Sequence, residues 1–177
     1  VEVATQAQSP SLADPRRWSD ERHVANMGLA IREARRAVEL GGAAIGAVIV
    51  DAGDRVLGVG HSLVGVRRDP LAHAELGAIG EAARRTGRFH LPDLVLYCTL
   101  EPCSMCLGAC AWAGLGGVFF GADGTVASPA LYDRAGYSAL EQARDSRRDG
   151  DREPLYVRGR ICFAETARLL VPSSPHP

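Results

Sequence analysis

Two short segments, His73-Ala-Glu75 and Pro102-Cys103-Ser-Met-Cys106, constrain the fold of this chain more than any other feature. An imidazole, a carboxylate and two thiols serve one purpose only if the fold brings residue 73 against residue 103. Cys103 and Cys106 are three apart, so on a helix they share one face, a turn apart. Pro102 suits the start of that helix, and a helix N-terminus favours thiolate over thiol. Two thiolates at this spacing can hold a single metal at about 2.3 Å each. Soft sulfur paired with imidazole selects zinc over magnesium or calcium. His73 falls at the start of the preceding helix. Strands feeding two neighbouring helices bring their N-termini to one edge of a sheet, where open α/β sheets bind ligands. The expected centre is therefore one zinc per chain, bound by His73, Cys103 and Cys106. Its fourth position stays open, the arrangement of a catalytic rather than a structural zinc. Glu75, on the opening turn after His73, is expected to face a bound water and to carry protons without ligating the metal.

A Cys-x-x-Cys pair alone also fits a structural zinc half-site or a redox motif. A structural site needs a second Cys/His pair, which the sequence lacks, and a redox motif leaves His73-x-Glu75 without a role. Cys110 shares the helical face of Cys103 but lies roughly 10 Å along the axis from it, so it is expected in the core. Cys98 falls in a strand, and spacing alone does not exclude it as a ligand. Five cysteines, an odd number in 177 residues, argue against a disulfide framework and for a reducing cytoplasm.

The apolar positions Val24, Met27, Ile31, Ala34 and Val38 predict a helix from Asp20 to Leu40, stopped by Gly41-Gly42. Ala47–Val50 and Arg55–Gly60 flank the turn signal Ala52-Gly-Asp54 and read as a hairpin. A loop follows from His61 to Ala72, then a helix from His73 to Arg85. Asp93–Leu100 reads as a buried strand, Cys103–Ala113 as a helix and Gly117–Phe120 as a strand. A further helix is expected near Ser138–Arg144, a strand at Leu155–Arg158 and a helix from Ala164 to Leu170. The alternation predicts an α/β fold of three layers, α/β/α, around a central mixed five-stranded sheet. One domain is expected over 19–171, between a flexible arm at 1–18 and a flexible tail at 172–177. No membrane span and no signal peptide are expected.

The two segments together resemble the signature of the zinc nucleobase and nucleoside deaminases, His-x-Glu followed by Pro-Cys-x-x-Cys. The resemblance runs from about Met27 to Phe120. It takes in Ile45-Gly-Ala-Val-Ile-Val50, Asp69-Pro-Leu-Ala-His-Ala-Glu75 and Leu96-Tyr-Cys-Thr-Leu-Glu-Pro-Cys-Ser-Met-Cys-Leu-Gly-Ala109. Within that superfamily the chain is most similar to guanine deaminases, tRNA adenosine deaminases and fungal-type cytosine deaminases. The resemblance implies the cytidine deaminase-like fold and hydrolytic deamination, with Glu75 relaying protons and ammonia released. It also implies a homodimer and base contacts from Ile45, Ser62, Ala74 and Trp112.

The substrate signals diverge. Trp112 stands where guanine deaminases carry an aromatic near the base. Ser62 stands eleven residues before His73, where the family often has an asparagine, and a serine cannot make the two-headed amide contact. The stretch Gly121–Pro129 has no basic residue, unlike the corresponding segment of bacterial tRNA adenosine deaminases. The net charge is −1, without the basic excess of a dedicated nucleic-acid binder. The expected substrate is a small aminated heterocycle, a guanine-like purine first and cytosine second. The alternatives are tRNA adenosine-to-inosine deamination and a catalytically silent zinc-containing binding subunit. All twenty basic residues are arginine, so lysine Schiff-base chemistry is excluded. Glu101 is expected to organise its loop rather than to act as an acid.

Overall fold

A computed structural model describes residues 14–124, Val126 and residues 155–170. The helix expected near Ser138–Arg144 and the tail at 172–177 lie outside the described residues. The first helix, α1 (Asp20–Glu39), is capped by the Ser19 side chain, which accepts from the Arg22 amide. Strands β1 (Gly46–Val50) and β2 (Val56–His61) form the expected hairpin. The four-residue helix α2 (Val64–Arg67) interrupts what the sequence suggests is plain loop. Then come α3 (Ala74–Thr86), β3 (Val95–Leu100), α4 (Ser104–Trp112), β4 (Gly117–Ala122), β5 (Val157–Arg158) and α5 (Phe163–Leu170).

The sheet order is β2-β1-β3-β4-β5. β1 is antiparallel to both its neighbours, while β3, β4 and β5 run parallel. This is the mixed five-stranded sheet with helices on both sides. β2 and β3 are each antiparallel to β1, so they point the same way. The helices that follow them, α3 and α4, therefore both begin at one edge of the sheet.

Strands β1, β3 and β4 are buried along their whole length. On one face Ala47, Ile49, Leu96, Cys98 and Phe120 pack with Ala74, Ala78 and Ala82 of α3 and Cys110 of α4. On the other, Val48, Tyr97 and Phe119 pack with Met27, Ala30 and Ile31 of α1. Period-two alternation thus feeds two cores from each strand. Val24 and Val38, expected on the buried stripe of α1, are exposed; His23, Asn26, Ala30 and Ala37 are buried in addition to Met27, Ile31 and Ala34. The core-facing stripe is narrower in valine and richer in alanine than the apolar pattern suggests.

That alanine and glycine content sets how closely the layers approach. A Cβ on Gly60 would lie 1.9 Å from the carbonyl oxygen of Ala74, and one on Gly58 would lie 2.1 Å from that of Ala78. Strand β2 therefore carries α3 directly on its backbone, and the α3 N-terminus has one permitted position. Residues 1–13 of the expected arm lie outside the described residues, while 14–18 pack on the domain. Pro15–Arg17 forms a 3-10 turn started by the Asp14 side chain, and Trp18 is buried beside His23 with the Arg22 guanidinium over its ring.

Candidate metal centre

His73 and Cys103 occupy the N-cap positions of α3 and α4, and neither side chain caps its helix. Both side chains are thereby free to reach outward from adjacent helix ends. His73 Nδ1 lies 3.4 Å from Cys106 Sγ and 3.8 Å from Cys103 Sγ. The three donor atoms all fall within 4.8 Å of one another, and they are the group of this kind among the described residues. Metal bonds of about 2.3 Å to sulfur and about 2.0 Å to nitrogen, at a tetrahedral angle, separate the two donors by roughly 3.6 Å. The observed separations bracket that value, so the residues fit a zinc ion.

The charges fit as well. The Cys106 thiol beside it, then the His73 imidazole, hold Cys103 down at about 4. Its contact with Cys103, and then burial, keep the Cys106 thiol protonated. The same contact with Cys103 raises His73. One thiolate, one thiol and one imidazole with raised basicity are thus gathered at one point. A dication there would displace the protons that this cluster otherwise shares.

Glu75, on the first turn of α3, is buried, and its Oε2 has no hydrogen-bond partner among the described residues. Burial is the main cause that pushes its carboxyl above the usual carboxylate range. A buried carboxylate oxygen without a partner costs several kcal/mol if charged, so this position suits a group that holds and releases a proton beside the centre.

Ile45 and Ser62 are joined through their backbones, and the chain after Ser62 is tied to the residue before His73. The Ser62 amide donates to the Ile45 carbonyl at 2.9 Å, and the next amide, Leu63, donates to Ala72 at 3.0 Å. Ser62 is buried and Ala74 fully so. Ile45 packs against the cluster that contains Ala74. Trp112 is not brought to the group within one chain. It ends α4 about 14 Å along the axis from Cys103, at 1.5 Å per residue, and is 89% exposed. Cys98, left open by its spacing, is buried in β3 with its thiol against the Phe119 carbonyl, outside the donor group. Cys110 lies in the core as expected.

Sequence reasoning missed two features. His61 meets Glu33 of α1 at 3.2 Å, so it faces α1. His23 is fully buried, with Nδ1 2.8 Å from the Tyr97 hydroxyl. Its place one residue off the apolar stripe of α1 gave no local signal. Glu101 is buried behind the metal loop; its Oε2 accepts from the Gly124 amide at 2.8 Å, and its own amide donates to the Ala122 carbonyl at 2.8 Å.

Comparison with known proteins agrees with this geometry. A family model described as the cytidine and deoxycytidylate deaminase zinc-binding region matches residues 20–122. The guanine deaminase of Bacillus subtilis (strain 168) is 44% identical over 92 residues, covering 52% of this chain and 58% of that protein. The tRNA-specific adenosine deaminase of Aquifex aeolicus (strain VF5) is 44% identical over 94 residues, covering 53% of this chain and 62% of that protein. The chain thus matches about three fifths of the length of these curated relatives. Among solved structures, one from a study of A-to-I editing by tRNA:A34 deaminases superposes with a TM-score of 0.67 at 31% identity, covering 82% of this chain and 99% of that one. The guanine deaminase structure from Bacillus subtilis gives a TM-score of 0.56 at 35% identity, covering 76% and 83%.

Proposed function

This chain belongs to the cytidine and deoxycytidylate deaminase zinc-binding family, and from that premise we propose that it is a hydrolytic deaminase of an aminated nucleobase. Water replaces an exocyclic amine on the ring, a carbonyl remains and ammonia leaves. The observation that carries this reading is Glu75, a buried carboxyl with an unpartnered oxygen, two residues from one member of a His/Cys/Cys donor group.

His73, Cys103 and Cys106 are the residues that would hold one zinc ion per chain. When bound, zinc supplies Lewis acidity, which lowers the pKa of water from 15.7 to about 7. The remaining work falls to the chain. Glu75 takes a proton from the attacking water and delivers protons to the ring nitrogen and then to the departing amine. Its raised proton affinity suits a group that must be acid and base in one cycle. Ile45, only partly buried, offers apolar contact to a flat ring, with Ala74 in the core beside it, and Ser62 offers a single hydroxyl where a two-headed amide would otherwise read the base edge. The substrate is a free aminated base, a guanine-like purine ahead of cytosine, in keeping with the guanine deaminase relative. The second reading is deamination of adenosine in tRNA, favoured by the 31% identical tRNA:A34 deaminase structure.

The functional unit is a homodimer. Helix α4 carries no charged residue, and Met105, Gly108, Ala111 and Trp112 are exposed along it. An uncharged face of this kind can meet its own copy without burying a charge. All five cysteines are free, in keeping with a reducing cytoplasm; among the described residues no helix is long and apolar enough to cross a membrane.

The test is ammonia release by zinc-loaded protein, with Glu75→Ala as the blank. The panel holds guanine, adenine, cytosine, their nucleosides, other aminopurines and a tRNA anticodon stem-loop. Glu75→Ala should retain zinc and lose at least about 10²-fold in rate; equal turnover in the variant would remove Glu75 from the chemistry. Release from the stem-loop alone would make the second reading the correct one.

A further inference from the structure

The chain leaving β4 passes directly over the metal loop, and one buried side chain fastens the two together. Glu101 sits between Leu100, the last residue of β3, and Pro102-Cys103, which open the metal loop. Its amide donates to Ala122, the last residue of β4. Its carboxylate accepts from Gly124 two residues further on. A carboxylate that accepts from a backbone amide in a buried setting makes a stronger bond than a neutral acceptor would. On the far side the same segment is tied by an ion pair of Asp123 with Arg160, and the Arg160 amide donates to Gly121.

The fastened segment bears on the candidate site. Leu100 and Ala122 form a small apolar cluster, and Val126, Ile45 and, from α5, Ala167 and Leu170 each pack against it. Ile45 also packs against the cluster containing Ala74, between the His73 and Glu75 positions. An apolar wall thus runs from the end of α5, through Leu100 and Ala122, to Ile45 and the core that holds Ala74. Val126 lies beyond the last strand residue of β4 and is held by a turn instead, its amide donating to the Asp123 carbonyl at 3.1 Å.

We propose that Glu101 is a positioning residue for substrate binding, which holds the chain after β4 so that Val126 completes an apolar wall with Ile45, Leu100 and Leu170. This rests on the deaminase reading for its substrate but not for its geometry. Glu101 bonds to Ala122 and Gly124, at the end of β4 and just beyond it. Its loss should loosen the wall and leave the chemistry in place, which is a change in KM rather than kcat.

The experiment compares Glu101→Met, which keeps the shape but removes the acceptor, with Glu101→Gln, which keeps an acceptor oxygen. Each full-length, zinc-loaded variant is taken through hydrogen exchange, zinc analysis and steady-state ammonia release on the substrate found with the panel. For Glu101→Met, exchange across residues 120–126 should rise about tenfold, on the scale of one lost hydrogen bond to a charged group. KM should rise by a similar factor, with kcat within about twofold and zinc retained. Glu101→Gln should restore most of both. Zinc loss with unchanged exchange at 120–126 would overturn the proposal and assign Glu101 to the metal loop. So would a fall in kcat at constant KM, or a glutamine variant no better than methionine. A wild-type protein silent on the whole panel would sink the deaminase reading alone; the exchange comparison needs no substrate and decides the clamp by itself.

Discussion

Replacing Gly60 by alanine should disable the site by displacing the helix that carries half of it. The new Cβ would stand 1.9 Å from the Ala74 carbonyl oxygen and 2.8 Å from the Ala78 amide nitrogen. Both are helix backbone, so no side chain can swing aside. To open the closer contact even to 3.0 Å, the first turn of α3 must retreat by about 1.1 Å. Overpacking of this kind costs about 1–3 kcal/mol. For a domain of this size that is a fall in Tm of roughly 2–10 °C. The larger effect is on chemistry, because the displaced turn carries Glu75 and follows His73, while Cys103 and Cys106 stay on α4. A misplacement of about 1 Å can cost about 10²-fold in rate. The assay pairs thermal unfolding with ammonia release and zinc affinity. Gly77→Ala is the control: its Cβ would meet only the Gly60 Cα at 3.5 Å, and alanine raises helix propensity by up to about 1 kcal/mol. A Gly60→Ala protein with wild-type Tm, zinc affinity and rate would refute the claim that β2 sets the height of α3.

Cys106→Ala should lose its zinc and unfold at lower temperature, because metal binding is coupled to folding; Cys110→Ala should keep one zinc per chain and lose only about 1 kcal/mol of packing. Metal analysis beside thermal melts separates the two, and equal zinc in both would contradict the ligand set. His23 supplies a pH dependence of stability. Burial first, and the nearby Arg158 charge second, lower its proton affinity in the fold. The unfolded chain therefore binds the proton more readily, and stability should fall as pH drops below about 6.5 toward the lowered folded value. Urea midpoints at pH 7, 6 and 5 should show that fall in the wild type and a flatter profile in His23→Phe; parallel profiles would exclude His23 as the source. Ala111→Arg, on the exposed side of α4, should convert the proposed homodimer to monomer in sedimentation velocity, and an unchanged sedimentation coefficient would place the interface elsewhere.

The parts of this molecule legible in the sequence are those governed by local rules. Cys-x-x-Cys after Pro102 specified a helix start, and period-two and helical spacing located β1, β3, α1 and α4 within a residue or two. Convergence of His73 with Cys103 followed from strands feeding adjacent helices. What stayed hidden depended on contacts between distant segments. Val24 and Val38 are apolar yet exposed, because the close approach of α1 to β1 favours alanine: a Cβ on Gly46 would lie 2.2 Å from the Ala34 amide. The burial of His23 needs the Tyr97 hydroxyl from a strand far along the chain. Trp112 carried a family expectation that no local rule could test, since its distance from the donor group emerges only once α4 has its length. The short α2 was invisible because four residues give too little periodicity to detect.

His73 and Cys103 each occupy a position where a helix ordinarily finds a side chain to satisfy its first amides, and neither supplies one. A capping side chain is worth about 1 kcal/mol, so two helix starts in this chain go without a side-chain cap at the residues proposed to hold the ion. Because metal binding is coupled to folding, empty and loaded copies would differ in lifetime as well as in competence. In a cell that degrades whatever opens most often, scarcity of zinc would lower the number of these molecules before it lowered the turnover of any one of them.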